Sequence, residues 1–198
     1  MRKVKKAIII TTTSLVAVLA LNACGQTNAQ TTNNKTTTTK VAKAKQVGVH
    51  PSANAWKRSS ENKPYPNMTL KNHNWFDVSI KDQRVYVKNP AGKVLYTMLC
   101  STGNDNGTPR GTFHIQAERG SHFYNASSKE GANYWTSFLD HGVYLFHSVP
   151  VNKSGHYLQK DAHELGKVAN SHGCVRLSIP DAKWVNSHVP TGTKVVIH

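Results

Sequence analysis

Hydrophobic positions along the chain fall into three regimes. Ala7 to Leu21 is largely apolar behind a cationic Met1-Arg-Lys-Val-Lys-Lys6 start, Gly25 to about Pro66 is polar, and beyond Trp75 apolar residues recur in short alternating runs. Trp75 to Ile80 puts Phe76, Val78 and Ile80 on one face, the period of a half-buried strand. After Lys81-Asp82-Gln83 a second run covers Arg84 to Lys88, and Asn89-Pro-Ala-Gly92 turns the chain into a third, Lys93 to Cys100. Short strands joined by tight turns of this composition predict a β-meander. Thr112 to Gln116, Gly142 to His147 and Thr193 to Ile197 add strands rich in β-branched and aromatic residues. Two helices are expected. One is a short segment from Asp161 to Lys167; the other starts at Ser178, whose hydroxyl can cap Asp181, runs through Trp184 and Val185, and stops before Pro190. The class is mainly β with one or two short helices.

Composition narrows where that domain lies. Of the 198 residues 38% are hydrophobic and 8% aromatic, low for one packed unit of that length, and 14 of the 16 aromatics lie beyond residue 70. The core-forming chain is therefore one domain of about 130 residues. With three cysteines, no Cys-x-x-Cys pair and no Gly-rich phosphate loop, disulfide scaffolds, redox carriers and nucleotide enzymes are disfavoured. The formal charge is +15, yet residues 1–69 hold 11 Lys and Arg against one acid, so two thirds of the excess belongs to the tail. A basic groove for nucleic acid is thus weakly supported; a solvated tail drawn to an anionic wall or membrane surface fits better.

The cationic start, the apolar stretch and Leu21-Asn-Ala-Cys24 read as an export signal over residues 1–23. The last four residues resemble a bacterial lipobox, which implies cleavage before Cys24 and diacylglyceryl transfer to its sulfur. Cleavage further on, after Ala29, or an uncleaved span are the other readings; the apolar stretch only just reaches the ~17–25 residues needed to cross a bilayer. Every one of them places the domain outside the cytoplasm. Thr fills seven of the fourteen positions from Thr27 to Lys40, and residues 24–71 are expected to be a flexible tether.

Ser171-His172-Gly173-Cys174-Val175-Arg176-Leu177 is the segment richest in chemistry. Glycine before a cysteine lets the backbone approach a substrate closely, and the successive amides of Gly173 and Cys174 can converge on a developing oxyanion. An acyl-transfer site also needs a base. His147, closing the apolar strand Gly142-Val-Tyr-Leu-Phe146, is the candidate, because a strand end is rigid and opens to a cleft. Such a pair is expected to favour thiolate beside imidazolium and to lower the thiol from ~8.5 toward neutrality. Cys174 as a buried structural thiol, or His172, Cys174 and His147 as zinc ligands, are the competing readings; a His-x-Cys spacing crowds a tetrahedral site. Cys100 is expected to be a free, packed thiol.

Together with Phe146-His147-Ser148, the stretch from Gly103 through Thr108-Pro-Arg-Gly-Thr-Phe113, and the closing Gly192-Thr-Lys-Val-Val-Ile197, this segment resembles the L,D-transpeptidase catalytic domain of the YkuD type over residues 72–198. The resemblance implies a β-sandwich of two mixed sheets and a cysteine acyltransferase of the bacterial cell wall that needs no cofactor. It implies Cys174 as nucleophile, His147 as base, Ser148 as the residue whose carbonyl orients the imidazole, and His172 and Gly173 as shapers of the oxyanion pocket. Ser171, Arg176 and Tyr134 are the expected substrate contacts, Tyr134 standing for the tyrosine some members place at the oxyanion. Two features depart from the family pattern. The 27 positions from His147 to Cys174 exceed the usual interval, so residues 148–167 contain an insertion, with His156 and His163 inside it as rival bases. Arg176 stands where many members carry Asn, and its fork suits a carboxylate.

The chemistry implied is a two-step transfer: Cys174 acylated by the third residue of a peptidoglycan tetrapeptide stem with loss of D-alanine, then an amine of a second stem resolving the thioester into a 3→3 cross-link. The resemblance also implies acylation of Cys174 by carbapenems. Water in place of the amine makes an L,D-carboxypeptidase, and a degenerate site leaves a non-catalytic wall-binding lipoprotein. Stem peptides are the expected partners of a monomer.

Overall fold

The computed structural model describes residues 49–198; the export segment, Cys24 and the tether as far as residue 48 lie outside the described residues. Nine strands form one mixed sheet: β1 (Trp75–Ser79), β2 (Arg84–Lys88), β3 (Val94–Ser101), β4 (Gly111–His114), β5 (Arg119–Asn125), β6 (Glu130–Leu139), β7 (Tyr144–Ser148), β8 (Val175–Leu177) and β9 (Lys194–Ile197), in the order β4-β9-β1-β2-β3-β8-β7-β6-β5. The sheet curls over itself. β4 begins the order and β6 is next to last, yet the Phe113 and Phe138 rings lie 5.7 Å apart and the Gln116 amide donates to the Ser137 carbonyl at 2.8 Å. Strand β3 turns the corner, pairing β2 along most of its length and β8 through Cys100 and Ser101. The expected two-layer mixed sandwich is this curled sheet.

Between the layers the alternation of β1 and β7 brings Phe76 and Phe146 edge to face at 5.5 Å, and Phe138 reaches Phe146 at 5.2 Å. These side chains are essentially solvent-free; rings of that size contribute a large share of the apolar burial that stabilises a domain this small. Cys100 is buried among them as a free thiol, its ionisation pushed well up by burial. Helix α2 (Ile179–His188) begins as its sequence predicts: Ser178 Oγ accepts from the Asp181 amide at 3.2 Å, and Pro180 sits in the first turn. The other helix, α1 (Gln159–His163), starts two residues earlier than the segment predicted and ends sooner.

One hairpin went unpredicted and one expectation needs correction. The β5–β6 hairpin is the longest pairing in the fold and its sequence shows no clean alternation; β5 is an edge strand, half exposed along its length, so polar residues are admissible on both faces. The tether reaching residue 71 is wrong over its described part. Trp56 and Met68 are buried, Tyr65 stacks on Trp184 at 4.7 Å, and the Glu61 carboxylate accepts from the Thr97 amide at 2.6 Å. Asp181 fastens the segment, accepting from the Tyr65 hydroxyl at 2.7 Å and from the Ser60 hydroxyl. Trp56 and Tyr65, the two aromatics ahead of residue 70, were the signal that this stretch is anchored.

Candidate active site

Parallel pairing of β7 with β8 builds the site. The register sets Phe146 against Val175, His147 against Arg176 and Ser148 against Leu177. Because side chains alternate along both strands, His147, Arg176 and, one step before β8, Cys174 emerge on the same side, while Phe146 and Val175 turn into the core. That side is a cleft of about 540 Å³ whose lining includes Cys174, His147, Ser171, His172, Gly173 and Arg176.

The turn carrying Cys174 is held by backbone packing. Gly173 has φ +144°, and a Cβ there would lie 2.9 Å from the Gly107 carbonyl oxygen and 2.9 Å from the Tyr144 ring, so only glycine fits. Thr108 braces it from behind, its hydroxyl accepting from the Gly103 amide at 2.7 Å and donating to the Gly173 carbonyl at 2.8 Å. The Thr-Pro-Arg-Gly-Thr stretch is thus a structural loop beside the cleft. Ser171 is a brace as well. Its hydroxyl donates to the Cys174 carbonyl at 2.6 Å and accepts from the Gly173 amide at 3.1 Å. The expected pair of oxyanion amides is therefore reduced: Gly173 N–H is committed to Ser171, and among the described residues the Cys174 N–H donates to no protein acceptor.

His147 is buried, and its Nδ1 lies 2.6 Å from the Ser148 carbonyl oxygen. A carbonyl only accepts, so Nδ1 carries the proton and Nε2 is left with a free lone pair. Phe123 closes over the ring edge at 5.8 Å. Burial lowers the imidazole pKa to about 4, the Ser148 bond opposing and the Arg176 charge adding to the shift. Burial also raises the Cys174 thiol to about 11, against an opposing hydrogen bond from the Leu145 backbone and the pull of Arg176. The thiol points at the Val143 carbonyl, 3.6 Å away. Both shifts run against the expected thiolate and imidazolium.

Arg176 is also corrected. Its side chain is 2% exposed and its terminal nitrogens are taken: Nη2 by Glu130 at 2.7 Å, Nη1 by Asp161 at 2.9 Å and by the Asn170 carbonyl at 2.9 Å. No fork remains for a substrate carboxylate; instead the guanidinium ties β8 to β6, to α1 and to the loop before Cys174. The insertion at 148–167 thus supplies Asp161 to this cluster, while His156 and His163 are exposed and absent from the cleft lining. His172 stands exposed at the mouth, with Nδ1 3.8 Å from the Glu130 carboxylate. Tyr134 is elsewhere: it packs against the main core, with the Lys183 ammonium 6.0 Å from its ring. The tyrosine of the cleft is Tyr144. Glu130, Trp135 and Phe123 also line the cleft from the hairpin that sequence patterning did not predict.

A curled mixed sheet, a glycine-tethered cysteine and a strand-end histidine locked on a carbonyl define the class, and the chain belongs to the L,D-transpeptidase catalytic-domain family: the YkuD family model matches residues 73–197. YciB of Bacillus subtilis (strain 168), whose name assigns it to the L,D-transpeptidases, is 47% identical over 137 residues, 67% of this chain and 69% of that one. Among solved structures, the L,D-transpeptidase LdtMt1 in complex with imipenem aligns with a TM-score of 0.52 at 23% identity, covering 64% of this chain and 59% of that one. An L,D-transpeptidase from Mycobacterium smegmatis gives 0.51 at 22% identity, covering 64% and 58%. At those identities the likeness is one of fold, and the chain spans less than two thirds of either solved protein.

Proposed function

We propose that the protein is an exported cysteine acyltransferase that forms 3→3 peptidoglycan cross-links. The observation that carries this reading is the β7–β8 register, which seats Cys174 and the free Nε2 of His147 on one wall of a single cleft. His147 Nε2 takes the thiol proton as sulfur attacks the carbonyl of the third stem residue, so no standing thiolate is needed. The Cys174 amide donates to the developing oxyanion. The imidazolium then returns its proton to the departing D-alanine nitrogen, the C–N bond breaks, and a thioester remains. An amine of a neighbouring stem resolves it; water resolving it instead makes tripeptide.

Family membership and the intact pairing of nucleophile, base and glycine support an enzyme over a wall-binding protein. The Leu21-Asn-Ala-Cys24 boundary supports lipid attachment at the outer face of the cell membrane, and the basic stretch behind it supports attraction to anionic wall or membrane surfaces. Purified protein incubated with a disaccharide-tetrapeptide is expected to release D-alanine and yield cross-linked dimer by mass spectrometry. Cys174→Ala should yield neither. D-Alanine release from Cys174→Ala would overturn the reading. For the anchor, protein extracted from membranes should carry diacylglyceryl on an N-terminal Cys24, and a first residue beyond 24 would refute it.

A further inference from the structure

Charge around the cleft runs against the charge of the chain. In a protein of formal charge +15 the cleft lining holds one carboxylate, Glu130, and one guanidinium, the buried Arg176. Arg176 binds two carboxylates, Glu130 and Asp161, so this cluster of three carries a net −1. The surplus belongs to the cleft side. The two carboxylates are about equally exposed, Glu130 at 25% and Asp161 at 23%, but Glu130 starts β6 within the cleft lining and Asp161, on α1, lies outside it. Only Oε2 of Glu130 is used, at 2.7 Å from Arg176 Nη2, and among the described residues Oε1 accepts no hydrogen bond. The two substrates implied by acyl transfer differ in the group they bring: the attacking amine reaches the protein as an ammonium, while water has no charge.

We propose that Glu130 selects the acceptor, its carboxylate drawing the cationic amine of a second stem peptide into the cleft beside Cys174 and so directing the thioester to an amine rather than to water. The inference rests on the acyl-transfer reading above. Held by Arg176, the carboxylate is pre-oriented, and the low-dielectric walls formed by Phe123, Trp135 and Leu145 strengthen its pull on a cation. The ammonium sheds one proton to solvent before attack. Nitrogen then bonds to the thioester carbon, the C–S bond breaks, and the amine's surplus proton passes through His147 Nε2 to the Cys174 sulfur, leaving an amide and a free thiol. No other reactant is consumed.

The test reads how each acyl-enzyme is spent. Purified protein is given a disaccharide-tetrapeptide donor and a tripeptide-stem acceptor bearing the free amine, and dimer is counted against hydrolysed tripeptide. Because the ratio is taken per thioester formed, slower donor acylation in a variant cancels. Glu130→Gln keeps an oxygen for Arg176 and removes the charge, and the dimer-to-hydrolysis ratio is expected to fall at least tenfold. Raising the salt from about 0.05 to 0.5 M should lower the wild-type ratio several-fold by screening. It should leave Glu130→Gln unchanged. Should that variant not fold, the wild-type salt response decides, with the isosteric alcohol acceptor as the uncharged control that salt does not affect. A ratio unaltered by both the substitution and salt overturns the assignment while sparing the acyl-transfer reading; absence of any thioester at Cys174 overturns both.

Discussion

Two buried charges sit on opposite sides of the curled sheet, and each fastens a segment that the strands alone would not hold. Arg176 gathers Glu130, Asp161 and Asn170 beneath the cleft, binding the insertion and the hairpin to β8. Asp181 gathers Ser60 and Tyr65 at the start of α2, binding the segment before β1 to the helix. Arg176 of the first cluster is the register partner of His147 and lies two residues from Cys174; no residue of the second lines the cleft. The same device therefore stands at the cleft in one place and away from it in the other. A buried charge is costly unless fully partnered, and here that requirement selects which loops are fixed.

Removing the charges should separate these roles. Arg176→Met leaves Glu130 and Asp161 facing each other without a cation, a change that costs about 3–5 kcal/mol, and turnover per folded molecule is expected to drop more than a hundredfold. Asp181→Ala removes the acceptor of the half-buried Ser60 and Tyr65 hydroxyls, at about 1 kcal/mol each, lowering the melting temperature while turnover per folded molecule stays within about twofold. Urea titrations paired with D-alanine release measure both. Equal damage to turnover from the two substitutions would erase the contrast.

Trp56→Ala probes the outer end of the Asp181-anchored segment. The ring is buried against Leu99, Leu165 and Tyr157, so about 3–5 kcal/mol should be lost, and protease should open the segment before the sheet. Resistance equal to wild type would restore the tether.

Acid should pull the two regions in opposite directions. His147 has a folded pKa of about 4, below the ordinary 6.5, so the unfolded chain takes the proton first. Stability then falls as pH drops through that window, by about 3 kcal/mol in all. Asp181 is shifted up by burial, its hydrogen bonds opposing, so the folded state holds its proton longer and stability from this group falls as pH rises from about 4. Denaturation from pH 7 to pH 4 should show a flattened acid slope in His147→Gln and a steeper one in Asp181→Asn. Identical slopes in all three proteins would contradict the assigned environments.

How much of this was legible beforehand follows from what each signal depends on. Strands β2 and β9 bury alternate residues because one face meets the core, β1 and β3 are short apolar runs bounded by turn residues and buried on both faces, and both patterns are local to the chain. The Ser178 cap is equally local. Cys174, His147 and the Ser148 carbonyl were readable because short motifs carry them. What stayed hidden is non-local: Arg176 offers the same fork to a substrate or to Glu130 and Asp161, 46 and 15 residues away, and nothing in the residue itself distinguishes the two. Tyr134 lies on β6, whose pattern was silent, while Tyr144 opens the predicted strand β7, and nothing in either residue says which one faces the cleft. Burial, which shifts both His147 and Cys174 away from the charged pair, is likewise a property of the closed fold and not of either residue.

The smallest effect is in the thiol itself. With Cys174 raised to about 11 by burial, iodoacetamide labelling should climb steadily above pH 9 rather than level off near 8.5. His147→Ala should change it little, because the imidazole at rest is uncharged. A plateau at neutral pH that His147→Ala abolishes would reinstate the ion pair.

In the proposed reaction Cys174, and not the buried Cys100, is the thiol that is acylated. Intact-protein mass spectrometry of the folded chain after brief exposure to a carbapenem, followed by peptide mapping, tests it most directly. One adduct on Cys174, retained in Cys100→Ala and missing in Cys174→Ala, is the predicted result; an adduct that survives Cys174→Ala contradicts it.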